Sequence, residues 1–74
     1  MTTMVTGGNG FLGSRVVRRL AMLGEPVVCF ARRIPETLLL EYPKLVTPVQ
    51  GDITQLQEVL AAVQQNHVKR IIHM

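Results

Sequence analysis

Short apolar runs alternate with longer amphipathic stretches along this chain of 74 residues. Runs rich in β-branched residues predict strands, whereas apolar residues that recur every three or four positions predict helices. Four strands are expected on this basis, at residues 3–6, 26–30, 45–49 and 69–74.

The clearest helical stretch near the beginning of the chain is residues 11–23. Gly24 is expected to end this helix, because glycine reaches a positive φ angle without strain. The predicted apolar stripe consists of Leu12, Val16, Leu20 and Leu23, with arginines on the opposite face.

A second amphipathic helix is predicted after the third strand. Thr54 and Gln57 have the spacing of a capping box, in which two side chains satisfy free amides at a helix start. Residues 34–42 are ambiguous: Pro35 and Glu36 suit a first helical turn, and Pro43 ends whatever forms. The apolar stripe of the second helix consists of Leu56, Val59, Leu60 and Val63.

This order of elements, βαβ(α)βαβ, predicts an α/β fold with a parallel sheet and crossover helices. Residues 26–30 are apolar throughout, which is typical of a strand covered on both faces. Pro48 lies within the third strand and cannot donate a ladder hydrogen bond, so that strand is expected at an edge.

Composition narrows the setting of the protein. The chain is 47% hydrophobic and carries a formal charge of +3, with a length that suits one small domain. It has no apolar run long enough for a bilayer and no export signal, and Cys29 is its single cysteine, so a cytoplasmic setting without membrane contact is expected. With three aromatic residues in total, the basic charge does not predict a nucleic-acid partner.

The candidate chemistry lies in a glycine-rich segment between the first strand and the first helix. Free amides at a helix N-terminus attract an anion, and a pyrophosphate can approach them only where side chains are absent. Gly10 would permit that approach, Gly7 or Gly8 the tight turn, and Gly13 close packing of helix on strand. Gly8-x-Gly10-x-x-Gly13 and Gly7-x-x-Gly10-x-x-Gly13 are both possible spacings.

A mononucleotide P-loop is excluded by the residues that follow. The pattern G-x-x-x-x-G-K-[ST] requires a lysine and a hydroxyl after the second glycine. Gly13 is instead followed by Ser14 and Arg15, so the lysine that would hold the phosphate is missing. The dinucleotide interpretation is therefore favoured over the mononucleotide one.

The end of the second strand bears on which dinucleotide binds. An acidic residue there would accept hydrogen bonds from the ribose of NAD, but the chain has Ala31, Arg32 and Arg33. A guanidinium can pair with a 2′-phosphate, so NADP is preferred over NAD as the cofactor. The alternative is that these arginines only begin a solvated loop.

Three segments together resemble the extended short-chain dehydrogenase/reductase family, also called the NAD-dependent epimerase/dehydratase family. They are TGGNGFLGS at 6–14, GDIT at 51–54 and RIIHM at 70–74. The resemblance implies a Rossmann-type doubly wound parallel sheet with strand order 3-2-1-4, of which residues 1–74 form the N-terminal half.

The resemblance also implies roles for individual residues. Phe11 and Leu12 would place their amides near the phosphates, beside the glycines at positions 7, 10 and 13. Asp52 and Ile53 would address the adenine ring, and Arg32 would occupy the position that NADP-dependent members use. A simpler role for Asp52 is as a turn residue that caps the following helix, and both roles are compatible.

The chain departs from the family in its catalytic residues. The family uses a tyrosine and a lysine four residues apart, whereas Tyr42 is the only tyrosine and is followed four residues later by Val46. His73 corresponds to a strand that leads to the cofactor and not to the catalytic base. We therefore expect the parent protein to be an oxidoreductase, epimerase or dehydratase, and this chain alone to be inactive.

Two other classes of function share these motifs: a non-catalytic dinucleotide-binding sensor and a small interaction module. In the implied strand order, the fourth strand is an edge with unpaired backbone groups. The chain is therefore expected to self-associate through that edge, to bind a complementary half, or to remain partly unordered.

Overall fold

The computed structural model describes residues 1–7 and 10–74. Gly8 and Asn9 lie outside the described residues, and so does the alternative glycine spacing that begins at Gly8. The elements are β1 (Thr2–Thr6), α1 (Phe11–Met22), β2 (Val27–Ala31), α2 (Glu36–Glu41), β3 (Val46–Gln50), α3 (Leu56–Gln65) and β4 (Val68–His73).

The four strands form one parallel sheet in the order β3-β2-β1-β4, which confirms the expected topology. Neighbouring residues of β1 point to opposite faces of the sheet. Val5 packs into a cluster with Val17 of α1, while Met4 packs into a second cluster with Ala62 of α3. The molecule therefore has helices on both faces of the sheet.

The two central strands carry most of the core. All five residues of β2 are buried, as its unbroken apolar run predicted. β3 is an edge strand, so Pro48 sits where its missing donor is tolerated, also as predicted. Among the described residues, β4 pairs only with β1, and Ile71 in it is half exposed.

The buried face of α1 differs from the predicted stripe. Leu12 and Leu23 are exposed, because one lies in the first turn and the other follows the last helical residue, away from the sheet. Small residues allow the helix to lie close to the sheet, and the buried face is rotated by about one residue relative to the prediction. That face consists of Gly13, Val17, Leu20 and Ala21.

The predicted capping box of α3 is wrong. The helix begins at Leu56, with Gln55 as its N-cap and no side-chain cap. The Thr54 hydroxyl donates to Asp52 Oδ1, so it is engaged in the preceding turn and does not reach the helix. The predicted apolar stripe is also only partly correct: Val59 and Val63 pack against the core, whereas Leu56 and Leu60 are exposed.

The ambiguous segment contains the short helix α2. Its N-cap is Pro35, so the proline precedes the first turn instead of lying in it, and Leu38 is buried. Arg18 of α1 donates to both carboxylate oxygens of Glu41, at 3.3 and 3.2 Å, and this contact ties α1 to α2.

Among residues 1–7 and 10–74, no helix combines the length and apolar character that crossing a membrane requires.

The residue after the C-cap of α3 is strained. His67 follows Asn66 with φ +52°, a left-handed conformation that glycine adopts more easily. We predict that His67→Gly raises the free energy of unfolding by about 0.5–1 kcal/mol, measured by urea denaturation.

Gly24, which follows the C-cap of α1 at φ +81°, provides the matched control. A Cβ there would meet no atom of the described residues within 4 Å, so Gly24→Ala tests backbone conformation alone. It should lower the free energy of unfolding by about 1 kcal/mol. If His67→Gly were instead destabilising, strain at position 67 would not be the governing effect.

Candidate functional site

The loops that follow β1, β2 and β3 meet at one edge of the sheet, because parallel strands all end on the same side. In such sheets, ligands bind in the crevice outside the carboxyl ends of the strands. A cavity of about 210 Å³ lies here and is lined by Gly7, Phe30, Ala31, Arg32, Gly51 and Ile53.

The turn from β1 into α1 depends on Gly7, whose φ of +72° is left-handed. Its amide donates to the Phe30 carbonyl at 3.1 Å, which ties the loop to the end of β2. Its carbonyl accepts from the Gly10 amide at 3.1 Å. These two bonds fix where the chain enters the helix.

Gly10 is the N-cap of α1, and its carbonyl accepts from the Ser14 amide at 2.9 Å. Its φ of −78° is ordinary for any residue, and a Cβ on it would come no closer than 3.5 Å to the Gly7 carbonyl. Among residues 1–7 and 10–74, nothing therefore blocks a side chain at Gly10. A bound ligand would supply a reason for glycine there.

The N-terminus of α1 has an electrostatic character that suits an anion. Gly10 offers no side-chain cap, and the first turn contains no acidic residue. The amides of Phe11, Leu12 and Gly13 belong to this turn, which carries the positive end of the helix dipole. Gly13 is buried, and the Arg15 guanidinium lies 5.5 Å from the centre of the Phe11 ring.

The two arginines after β2 are separated by the structure. Arg32 lines the cavity, and its carbonyl accepts from the Gln50 side chain at 2.9 Å. Arg33 instead lines a different cavity, of about 490 Å³, with Ile34 and Pro48 beside β3. Only Arg32 therefore belongs to the same site as the glycine loop.

Gly51 also lines the cavity, although the sequence did not predict it as a site residue. Its amide donates to the Ala31 carbonyl at 3.0 Å. A Cβ at Gly51 would lie 2.8 Å from Cζ of the Phe30 ring, closer than real contacts allow. The glycine is needed because the buried aromatic ring packs against its backbone, and its position directly after β3 was the available signal.

Asp52 is held in a tight turn at the rim of the cavity. Its Oδ1 accepts from the Thr54 amide at 2.9 Å and from the Thr54 hydroxyl at 2.7 Å. Its Oδ2 lies 3.4 Å from Nη2 of Arg32. The hydrogen bonds from Thr54, helped by the charge of Arg32, hold the pKa of the Asp52 carboxyl below its usual value.

Glu58 is the second residue that sequence reasoning missed. Its Oε2 accepts from the Asp52 amide at 2.7 Å, so the third residue of α3 reaches back to the loop after β3. This is the reach-back contact of a capping box, made to a residue further upstream than the N-cap. An acidic residue three positions after Gln55 was the signal.

Thr6, His73 and Cys29 are further side chains with polar or nucleophilic groups, and all three lie in strands of the sheet. The Thr6 hydroxyl lies 2.6 Å from Nδ1 of His73, across the β1–β4 pair, and the Met74 amide donates to the Thr6 carbonyl at 3.1 Å. Cys29 is buried in β2, and this burial raises the pKa of its thiol. These contacts join strands and do not form a nucleophilic centre.

Comparison with solved structures identifies the architecture. UDP-glucose 4-epimerase from Bifidobacterium longum, solved with NAD+ and UDP, superposes with a TM-score of 0.87 at 24% identity, over 100% of this chain and 24% of that one. AtPrR2, solved with NADP+ and (+)pinoresinol, gives a TM-score of 0.74 at 26% identity, over 97% of this chain and 25% of that one.

Sequence comparison finds hydroxysteroid dehydrogenases among the proteins similar to this chain. Human 3 beta-hydroxysteroid dehydrogenase type 7 is 47% identical over 76 residues, covering 95% of this chain and 20% of that protein. The 3-beta-hydroxysteroid dehydrogenase of Mycolicibacterium neoaurum is 45% identical over 60 residues, covering 81% of this chain and 16% of that protein. The chain thus spans about a fifth of the length of such relatives.

A family model matches nearly the whole chain. The model of the NAD dependent epimerase/dehydratase family matches residues 3–74, which include the glycine loop, the Gly51-Asp52 turn and β4. The resemblance inferred from the three sequence segments is confirmed, and the chain belongs to the NAD dependent epimerase/dehydratase family.

Proposed function

We propose that this chain binds the adenosine and pyrophosphate portions of NADP and forms the N-terminal part of an NAD(P)-binding domain, residues 1–74. The observation that carries the proposal is the cavity at the ends of three strands, which adjoins the N-terminus of α1, where the N-cap residue Gly10 has no side chain. The pyrophosphate would lie over the helix N-terminus, with the adenosine in the cavity. A neighbour in fold is solved with NAD+ and another with NADP+, which supports a dinucleotide in this position.

The preference for NADP over NAD rests on the end of β2. Arg32 reaches the mouth of the cavity, and a guanidinium can form paired, charge-assisted hydrogen bonds with a 2′-phosphate. Ala31 offers no carboxylate to the ribose hydroxyls that NAD presents. Arg33, which faces the other cavity, would add positive potential without direct contact.

The adenine ring would lie against the loop after β3. Asp52 would accept from its exocyclic amine, and the Ile53 amide would face a ring nitrogen. Ile53 lines the cavity and is half exposed, so its side chain offers an apolar surface to the ring. The proposed phosphate contacts remain the amides of Phe11 and Leu12, with the glycines at positions 7, 10 and 13.

For the parent protein we propose hydride exchange between the nicotinamide and a carbonyl or alcohol carbon. Steroid dehydrogenases among the relatives favour an alcohol or ketone on a sterol, and the epimerase neighbour keeps a nucleotide sugar as a candidate. The chain supplies binding and not catalysis, since Tyr42 has no lysine four residues later. A non-catalytic sensor of the dinucleotide would use the same contacts. The cytoplasmic setting of the protein remains a prediction.

Exchange of the residues at the end of β2 tests the cofactor preference. Ala31→Asp combined with Arg32→Asn supplies a ribose acceptor and removes the phosphate partner. The ratio of the dissociation constants for NADP and NAD should shift toward NAD by about tenfold or more, measured by calorimetry. Arg33→Asn is the matched control and should shift the ratio much less; an unchanged ratio in the double variant would place the ribose elsewhere.

Substitution of Gly10 tests the phosphate site. Gly10→Val should keep the fold, because the backbone angles are ordinary and a Cβ would approach no described residue closer than 3.5 Å. It should abolish dinucleotide binding by occupying the pyrophosphate position. Circular dichroism checks the fold and calorimetry checks binding. Arg19→Ala, an exposed change in the last turn of the same helix, should leave binding intact. Normal binding by Gly10→Val would refute the assignment.

The state of the isolated chain is a further prediction. Among the described residues, nothing pairs with the outer edge of β4, so the chain should self-associate through that edge, measured by light scattering. It should also give no turnover with sterols, nucleotide sugars or simple carbonyls in a nicotinamide absorbance assay. Lys69→Pro removes one backbone donor of β4, so its mass by light scattering should show less self-association than that of the unsubstituted chain. A monomer that turned over any substrate would contradict both parts.

A further inference from the structure

The two oxygens of the Asp52 carboxylate have unequal surroundings. Oδ1 accepts both hydrogen bonds from Thr54, whereas Oδ2, among the residues that the structure describes, faces only Nη2 of Arg32, at 3.4 Å. A carboxylate has about four acceptor positions, so Oδ1 is filled and Oδ2 retains one. The adenine amine and the Arg32 guanidinium would therefore meet at the same oxygen.

The backbone of Arg32 is held by Gln50, whereas its side chain is largely exposed and meets Asp52 at 3.4 Å. Its carbonyl accepts from the Gln50 side chain, whereas its side chain is 76% exposed. The guanidinium can consequently turn away from Asp52 without any movement of β2. Because Arg33 lines another cavity, it does not offer a second guanidinium at this position.

We propose that Asp52 is a specificity-determining residue that competes with the 2′-phosphate of a ligand for Arg32. The inference rests on the proposed function. A ligand with a 2′-phosphate must displace Arg32 from Asp52, whereas a ligand with a free 2′-hydroxyl leaves the ion pair intact. Asp52 thus reduces the preference for phosphorylated ligands and allows NAD to bind without leaving Arg32 unpaired.

A substitution at Glu58 distinguishes competition for Arg32 from a general effect of negative charge. It lies in the same region and carries the same charge, but its carboxylate accepts from the Asp52 amide and has no recorded contact with Arg32 among the described residues. Glu58→Gln removes the charge and keeps an acceptor oxygen. It is therefore the matched control for Asp52→Asn.

The experiment uses two probes that differ in one phosphate, 2′,5′-ADP and 5′-AMP, with dissociation constants measured by calorimetry at low ionic strength. Both probes contain adenine, so a change in the adenine contact cancels in the ratio of the two constants. Asp52→Asn should increase the preference for 2′,5′-ADP about three- to fivefold, the size expected for an exposed ion pair. Glu58→Gln should leave the ratio unchanged.

The same substitution in an Arg32→Gln background identifies the cause. Competition for Arg32 requires the gain to disappear there, whereas an equal gain in both backgrounds would mean direct repulsion between Asp52 and the phosphate and would overturn the inference. An equal gain from Glu58→Gln would overturn it as well. Asp52→Ser, which keeps a hydroxyl for Thr54, provides the comparison if the asparagine variant fails to fold.

The outcomes also distinguish this inference from the proposed function. Binding of both probes with a ratio that Asp52→Asn does not change overturns the inference alone. If the unsubstituted chain bound neither probe, the proposed function would fail and the inference with it.

Discussion

The structure depends on burial of the two central strands on both faces of the sheet. β1 and β2 expose almost no side chain, so helices must cover both sides. Helices on both faces require crossover connections, and crossover connections make the strands parallel. The apolar run of β2 therefore determines the layer arrangement as well as the location of one strand.

Parallel strands have a further consequence for chemistry, because their carboxyl ends all lie at one edge. The loops after β1, β2 and β3 meet there, and hydrogen bonds between neighbouring strand ends hold them together: Gly7 to Phe30, and Gly51 to Ala31. The packing of the Phe30 ring against Gly51 sets the floor of the cavity. Core packing and the shape of the site are thus determined by the same side chain.

The sequence was sufficient to predict the four strands, α1 and α3, and their order, because these depend on local patterns of apolar residues. The segment that contains α2 was ambiguous. The sequence was not sufficient to predict which face of α1 is buried. Either the face with Leu12 or the face with Ala21 could pack on the sheet, and the outcome depends on how closely the helix lies on it. The partners of Thr54 and Glu58 were missed for a related reason. Each has several acceptors or donors within reach along the chain, and only the turn at Asp52 selects one.

The separation of Arg32 from Arg33 illustrates the same limit. The two residues follow β2 in a bend and line different cavities, so a pair of arginines in the sequence becomes two different surfaces in space. No property of either side chain distinguishes them before the register of β2 is known.

The pairing of β1 with β4 imposes an order on folding. The Thr6–His73 contact joins residues 67 positions apart, and β1 is a central strand whose second neighbour, β4, begins only at Val68. On a ribosome, β1 and β2 can pair early, but one side of β1 stays open until β4 emerges. Contacts between such distant segments slow folding, because a large loop must close before they form. The buried strand β1 therefore gains its neighbour β4 later than its neighbour β2.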